Sequence, residues 1–164
     1  MTGINDFISH FKNGYRPNRF KVEIDGISSK LEFLCRSATI PASEIGVVDV
    51  TFQGLSIPVP GDRPGGKTWD IEVFLDVDMA VRKEFELWHE LIRPQEVMGG
   101  VDVVGAMRTG TVDLLDTNGN TIQSYRIIRC WPMMLGEIAL DQESTDTIAQ
   151  YPITLTYTAW STII

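Results

Sequence analysis

Apolar and polar residues alternate along several segments of this 164-residue chain. Phe20, Val22 and Ile24 are separated by charged residues, and the segment that begins at Trp69 repeats the pattern. A period of two residues places the apolar side chains on one face of an extended strand. The sequence therefore predicts a chain built mainly of β-strands, at residues 19–25, 31–36, 69–76, 111–115, 121–130 and 153–159.

Two turn signals predict which of these strands are neighbours. Asp25-Gly26 lies between the first two strands, so we expect residues 31–36 to return as the partner of residues 19–25. Asn118-Gly119 lies between the strands at 111–115 and 121–130. Both residues of that pair tolerate a positive φ, which predicts a β-hairpin there.

One longer segment has a helical period instead of a strand period. Its apolar residues recur at spacings of three and four, at Val81, Phe85, Trp88 and Ile92. Asp78 is placed to cap the start of a helix, and Pro94 to end it. The pattern predicts one α-helix over about residues 78–93.

Three further segments are less regular. A short amphipathic segment near the N-terminus is expected to cap one end of the sheet, through Ile4, Phe7, Ile8 and Phe11. Residues 54–66 and 97–108 are rich in glycine or proline and are interpreted as loops or extended arms.

Length and composition indicate one globular domain over residues 1–164. Hydrophobic residues make up 43% of the chain and charged residues 22%, which are ordinary values for a folded domain. No apolar run is long enough for a membrane helix, and the N-terminus has no secretory pattern. Cys35 and Cys130 are expected to be buried thiols in a reducing cytoplasm.

The charge of the chain argues against sequence-specific nucleic-acid binding. Fourteen basic and 22 acidic residues give a formal net charge of −8. No Lys or Arg follows Arg129, whereas four acidic residues lie in that part of the sequence.

Residues 61–68 match the phosphate-binding pattern G-x-x-x-x-G-K-[ST] through Gly61, Gly66, Lys67 and Thr68. A phosphate loop needs a helix N-terminus directly after it, whose N–H groups converge on the phosphates. Residues 69–75 alternate as a strand, and Pro64 removes one N–H donor from the loop. We therefore interpret the match as a turn between strands, without a nucleotide cofactor.

Other chemical motifs are absent from the sequence. His10 and His89 are the only histidines and have no metal-ligand spacing, and no serine lies in a G-x-S-x-G motif. Residues 116–120 resemble a calcium loop only in part, because no bidentate glutamate follows at the required distance. The expectation is a protein that is not an enzyme and has no catalytic, metal or cofactor site.

Residues 45–60 combine many apolar side chains with a single charged residue, Asp49. Such a stretch is a liability on the surface of a monomer. We expect an extended arm that a neighbouring subunit covers; the alternative is an internal hairpin. The candidate interface residues are Val47, Val50, Phe52, Leu55 and Ile57.

Six segments, in order along the chain, resemble the tail-tube protein family of contractile-tailed bacteriophages. They are residues 16–24 (Arg-Pro-Asn-Arg-Phe-Lys-Val-Glu-Ile), 33–42 with an Ile-Pro-Ala ending, Gly61-Asp62-Arg63, the Phe-x-x-Trp helix at 82–88, Trp131-Pro132 with Gly136-Glu137 and Leu140-Asp141, and the closing strand through Trp160.

The resemblance implies two packed antiparallel sheets, sandwich-like or barrel-like, with one flanking helix. It also implies hexameric rings that stack into a tube inside a contractile sheath, which penetrates the cell envelope and conducts DNA. The implied partners are other copies of the chain and the sheath, baseplate, tail-terminator and tape-measure proteins, with double-stranded DNA passing without sequence-specific binding. The tube would belong to the virion tail and assemble in the host bacterial cytoplasm, and the monomer would not insert into membranes.

Two alternatives stay open at this point. Related tubes occur in phage-like bacteriocins, extracellular injection systems and type VI secretion, so the cargo could be a toxin. A small β-barrel domain that binds a ligand at residues 61–68 is the other alternative. The size of the purified protein separates the two classes, since a tube protein forms rings or polymers.

The acidic residues after Trp131 also have a possible role in a tube. If residues 135–143 form a strand, Glu137, Asp141 and Glu143 share one face, and Ile138 and Leu140 pack on the other. In a ring this acidic face would either line the channel and repel DNA phosphates, or lie outside and contact basic residues of a sheath; a solvated face without such a role is the third possibility.

Overall fold

The structure is a computed structural model that describes residues 3–12, 14–64, 67–93 and 103–163. Its helices are α1 (Ile4–Phe11), α2 (Leu31–Leu34), α3 (Ala80–Ile92) and α4 (Val103–Ala106). Its strands are β1 (Phe20–Ile24), β2 (Cys35–Ala38), β3 (Val47–Phe52), β4 (Leu55–Pro60), β5 (Lys67–Phe74), β6 (Arg108–Leu115), β7 (Thr121–Leu135), β8 (Gln150–Tyr157) and β9 (Ala159–Ile163). The predicted mainly-β fold is confirmed.

Seven strands form one antiparallel network in the order β1-β6-β7-β8-β5-β2, with β9 added on β7. The long strand β7 divides this network into two sheets. Residues 121–130 of β7 pair with β6 and β9, and residues 131–135 pair with β8. Near the end of the first part, Arg129 has a φ of +56°, a left-handed conformation that breaks the strand path. The two sheets share β7 and face each other across the core, as in the predicted sandwich-like arrangement.

Apolar side chains from both sheets meet in that core. Val22 and Val112 come from one sheet, Trp69 and Leu155 from the other, and all four are buried. Their positions follow the two-residue period in the sequence, because alternate residues of each strand point to the same face. The period therefore predicts correctly which face of β1, β5 and β8 is buried.

The helix α3 closes one side of the core, with Val81, Phe85 and Trp88 fully buried. Trp88 Nε1 donates a hydrogen bond of 2.8 Å to the Ala106 carbonyl of α4. The predicted helix is confirmed, but its N-cap is Met79, in a left-handed conformation, and not Asp78. Asp78 still accepts a long hydrogen bond of 3.4 Å from the Ala80 amide.

The prediction that residues 31–36 pair with β1 is wrong. Leu31 begins the short helix α2, and the following strand β2 pairs with β5. The amides of Leu31 and Glu32 donate to carbonyls three residues earlier, so this segment turns helically and buries Leu31. The partner of β1 is β6, from the distant hairpin.

Two further boundaries differ from the sequence prediction. Residues 153–159 form the end of β8 and the start of β9, because the chain leaves β8 after Tyr157 and β9 pairs with β7. Three helices, α1, α2 and α4, accompany the predicted flanking helix.

Cys130 is buried and Cys35 is partly buried, and both are free thiols.

Candidate functional site: exposed assembly surfaces

The hairpin of β3 and β4 forms its own two-stranded sheet, and in the described part of the chain neither strand pairs with the main network. Every residue of both strands is exposed. The exposed fraction reaches 69% at Val47 and at Leu55, and 63% at Phe52. We call this hairpin, residues 47–60, the arm.

The arm has one apolar face. Residues directly opposite each other in an antiparallel pair lie on the same face, and here Val48 opposes Val59, Val50 opposes Ile57 and Phe52 opposes Leu55. The other face carries the pairs Val47–Pro60, Asp49–Pro58 and Thr51–Ser56. The structure thus brings together four of the predicted interface residues, namely Val50, Phe52, Leu55 and Ile57. Val47 lies on the opposite face.

The turn and the base of the arm each depend on glycine. Gln53 and Gly54 both have positive φ, +49° and +79°, as a two-residue turn of primed type requires. At the base, the Gly46 amide donates to the Asp62 carbonyl at 2.8 Å, and a Cβ at Gly46 would lie 2.8 Å from that same oxygen. A glycine at this position permits the close approach that joins the two ends of the arm.

A second exposed apolar surface lies on α1. Its Ile4, Phe7, Ile8 and Phe11 side chains are between 54% and 77% exposed, and no residue of the helix is buried. Phe7 and Phe11 stack on each other with ring centroids 5.0 Å apart. The prediction that this segment caps the sheet of its own chain is therefore wrong, because its apolar face contacts solvent.

The phosphate-loop match leads into a strand. Lys67 is the first residue of β5 and is opposite Tyr157 of β8; Thr68 is opposite Thr156. Gly61 directly follows the arm, and Gly65 and Gly66 lie outside the described residues. The backbone N–H groups of Lys67 and Thr68 thus belong to a sheet. A phosphate loop would need these groups in the first turn of a helix. That Lys67 has no phosphate-binding role stays a prediction.

The acidic residues do not lie on a strand. β7 ends at Leu135, and residues 136–149 contain neither helix nor strand, so a two-residue period does not apply to Glu137, Asp141 and Glu143. The strand expected at residues 135–143 is therefore wrong. The register between β7 and β8 ends at Leu135, and the Gly136 amide still donates to the Pro152 carbonyl at 2.7 Å.

Beyond that point the chain turns. Asp141 Oδ1 accepts the Glu143 amide at 3.0 Å. Ile138 still packs against the core, whereas Leu140 is 86% exposed and does not share a buried face with it. All three carboxylates are exposed, so their proposed roles in the channel or at a sheath stay predictions.

The described residues offer little for metal or thiol chemistry. Among them, no group of three or more His, Cys, Asp or Glu side chains is close enough to hold a metal ion. Burial raises the pKa of the Cys35 and Cys130 thiols to about 12, so both stay protonated at neutral pH.

No helix in the described ranges has the length and apolar character needed to cross a membrane.

Sequence reasoning missed Val48 and Val59 as members of the apolar face. The signal was present, since the pairing of β3 with β4 about the Gln53-Gly54 turn determines which residues oppose one another. It also missed the apolar face of α1 as a free surface, because periodicity identifies an apolar face without identifying what covers it.

Comparison with known proteins agrees with the resemblance in the sequence. The family described as phage tail tube protein matches residues 6–163. The tail tube protein gp19 of Enterobacteria phage T4 is 28% identical over 162 residues, which cover 96% of this chain and 98% of that protein. The tail tube protein of Serratia phage KSP90 is 24% identical over 169 residues, covering 96% of this chain and 95% of that protein.

A solved structure has the same fold at lower identity. A chain from the sheath-tube complex of an extracellular contractile injection system, PVC, in its extended state, superposes with a TM-score of 0.71. Its sequence identity is 15%, and the match covers 99% of each chain. These relatives are structural tube proteins rather than enzymes. The chain described here belongs to the phage tail tube protein family.

Proposed function

We propose that six copies of this chain form a ring and that the rings stack into the tube of a contractile phage tail. Membership of the tail tube family supports a structural subunit. The apolar face of the arm is the observation that carries the proposal. A monomer would leave six apolar side chains of this face in water, whereas a neighbouring subunit can cover them.

Local contacts favour the hairpin shape of the arm. Its cross-strand pairs and its primed turn are local, and the Gly46–Asp62 bond joins its two ends at the base. A segment that already favours its bound shape loses less conformational entropy on binding, which favours assembly. The apolar face of α1 offers a second surface that a copy of the chain can cover.

The proposed tube lies inside a sheath, penetrates the cell envelope when the sheath contracts, and conducts double-stranded DNA without reading its sequence. The relative from the injection system is part of a sheath-tube complex, which supports a sheath as partner. Baseplate, tail-terminator and tape-measure proteins complete the proposed set of partners. The net charge of −8 favours passage of DNA without adhesion. Assembly is proposed to occur in the host bacterial cytoplasm, and the product is part of the virion tail.

The two alternatives have less support. A tube that carries a toxin would have the same fold, but the match to the T4 tail tube protein covers nearly the whole of both chains at the higher identity. A ligand-binding domain at residues 61–68 is disfavoured because Lys67 and Thr68 lie in β5.

Electron microscopy and size-exclusion chromatography of the purified protein test the proposal. We expect rings or long tubes with sixfold symmetry, with a central channel wide enough for a DNA duplex. The assemblies should appear without added ligand. A protein that stays monomeric or dimeric at every concentration tested would contradict the proposal and favour the ligand-binding alternative.

A further inference from the structure

The tip of the β6–β7 hairpin carries a peptide bond that is chemically unstable in flexible chains. Asn118 and Gly119 are both exposed, and Gly119 has a φ of +85°. Apart from its two chain neighbours, no residue places an atom within 4 Å of the position that a Cβ of Gly119 would occupy. The main protection available to it comes from hydrogen bonds.

Deamidation at such a site begins at the backbone nitrogen of Gly119. This nitrogen loses its proton and attacks the side-chain amide carbon of Asn118, and the new C–N bond closes a five-membered succinimide as ammonia leaves. Water then opens the ring at either carbonyl and leaves aspartate or isoaspartate in place of asparagine. Each event adds one negative charge, and the isoaspartate product also lengthens the backbone by one carbon.

Asp116 bonds to the backbone of all three residues around this peptide bond, Asn118, Gly119 and Asn120. Its carbonyl accepts the Gly119 amide at 3.2 Å, the same N–H whose proton must leave. Its Oδ1 accepts the amides of Asn118 at 2.7 Å and Asn120 at 2.9 Å. Its own amide donates to the Asn120 carbonyl at 2.8 Å.

We propose that Asp116 protects the Asn118–Gly119 bond from spontaneous deamidation, so that the hairpin tip is a latent modification site whose rate the Asp116 side chain sets. The Asp116 carboxylate fixes the backbone of the turn through the Asn118 and Asn120 amides. The fixed backbone maintains the bond from the Gly119 amide to the Asp116 carbonyl, and an amide bonded in this way is a poorer nucleophile. The negative carboxylate beside the tip also disfavours the anionic nitrogen. The proposal rests on this hairpin alone and does not depend on the assembly of the chain.

The ionisation state of Asp116 agrees with this role. The hydrogen bond that the carboxylate accepts from the Asn120 amide, together with the one from the Asn118 amide, holds the pKa of the Asp116 carboxyl below its usual value. Asp116 is therefore ionised at the neutral and alkaline pH at which deamidation is fastest.

The test is incubation of the full chain at mildly alkaline pH, with peptide mass spectrometry that assigns each deamidated residue. We expect Asp116→Ala to deamidate at Asn118 at least several-fold faster than the unaltered protein. Asp116→Asn, which keeps an acceptor but loses the charge, should have an intermediate rate. Asp141→Ala is the matched control, since it removes a similar turn carboxylate at a site without Asn-Gly, and its Asn118 rate should not change.

Circular dichroism establishes that each variant is folded before the rates are compared. If Asp116→Ala does not fold, the rate of Asp116→Asn decides, because it preserves the shape of the side chain. A folded Asp116 variant that deamidates at Asn118 at the rate of the unaltered protein would overturn the proposal.

Discussion

At the scale of single residues, one glycine decides how closely the two sheets pack. Gly110 of β6 faces Trp69 of β5 across the core, and a Cβ at Gly110 would lie 2.8 Å from Trp69 Cζ3. Trp69 is fully buried, and its Nε1 donates to the Thr39 carbonyl at 2.9 Å. The indole ring is rigid and anchored, so it has no alternative position if the glycine is replaced.

Gly110→Ala is therefore expected to lower the free energy of unfolding by about 1–3 kcal/mol, the usual range for overpacking a core. Chemical denaturation measures the change. Thr111→Ala, at the next residue of β6, is the control and should shift stability by about 0.5 kcal/mol or less, since Thr111 is only partly buried. If Gly110→Ala and the unaltered protein have the same free energy of unfolding, the two sheets move apart easily enough at this point to accommodate the added methyl group.

At the scale of secondary-structure elements, the arm differs from every other strand pair in the described chain. The seven strands of the main network each contribute at least one residue that is buried or partly buried, whereas β3 and β4 contribute none. Its stability as an isolated hairpin is marginal in water, because two strands bury too little surface. Contact with a second subunit would supply the missing burial on the apolar face.

Phe52→Asp places a charge on the apolar face of the arm and is expected to abolish ring and tube formation at concentrations at which the unaltered protein assembles. An unpaired charge buried in an interface costs several kcal/mol. Thr51→Asp is the matched control, because it adds the same charge at the adjacent residue, on the other face of the arm. Electron microscopy and sedimentation measure assembly.

Circular dichroism separates the two interpretations of the arm. We expect Phe52→Asp to remain folded as a monomer, since Phe52 is 63% exposed within one chain. Unfolding of this variant would instead favour the internal-hairpin interpretation, and normal assembly would exclude Phe52 from the interface.

At the scale of the whole molecule, negative charge collects in the last part of the chain. Glu137, Asp141 and Glu143 are exposed on the irregular connection between β7 and β8, and no basic residue follows Arg129 in the sequence. In a ring of identical subunits this cluster is repeated by symmetry. Because the connection is irregular, a two-residue period does not assign the three carboxylates to one face.

The triple variant Glu137→Gln, Asp141→Asn and Glu143→Gln removes three negative charges from a chain of net charge −8. If the connection faces the channel, tubes should assemble normally but phage should eject DNA more slowly, because fewer carboxylates repel the phosphates. Ejection assays on purified phage measure the rate. A control with Glu44→Gln and Asp62→Asn removes exposed carboxylates elsewhere and should eject normally.

The same triple variant also tests the two other interpretations of the acidic connection, an outer surface that contacts the sheath and a solvated surface without a role. Loss of sheath assembly on intact tubes would place it on the outer surface. A phage that assembles, contracts and ejects DNA normally would contradict both roles and leave a solvated surface.

The local sequence pattern alone was sufficient to predict several elements. The alternation around Val22 and Trp69 predicted β1 and β5 with the correct buried face, and the Asn118-Gly119 turn predicted the β6–β7 hairpin. The helical period of Val81, Phe85 and Trp88 predicted α3 and its buried side. The apolar character of residues 45–60 likewise identified the candidate interface. These features depend on residues that are close in sequence, where spacing determines which side chains share a face.

Tertiary structure decided the rest, because strand pairing joins segments that are distant in sequence. Turn residues after β1 did not reveal that its partner is β6, since that pairing depends on the burial of both strands against the second sheet. The change of path at Arg129 and the end of β7 at Leu135 likewise depend on which strands lie alongside. For this reason the sequence identified the arm and the acidic residues, whereas only the folded chain determined which of them share a face.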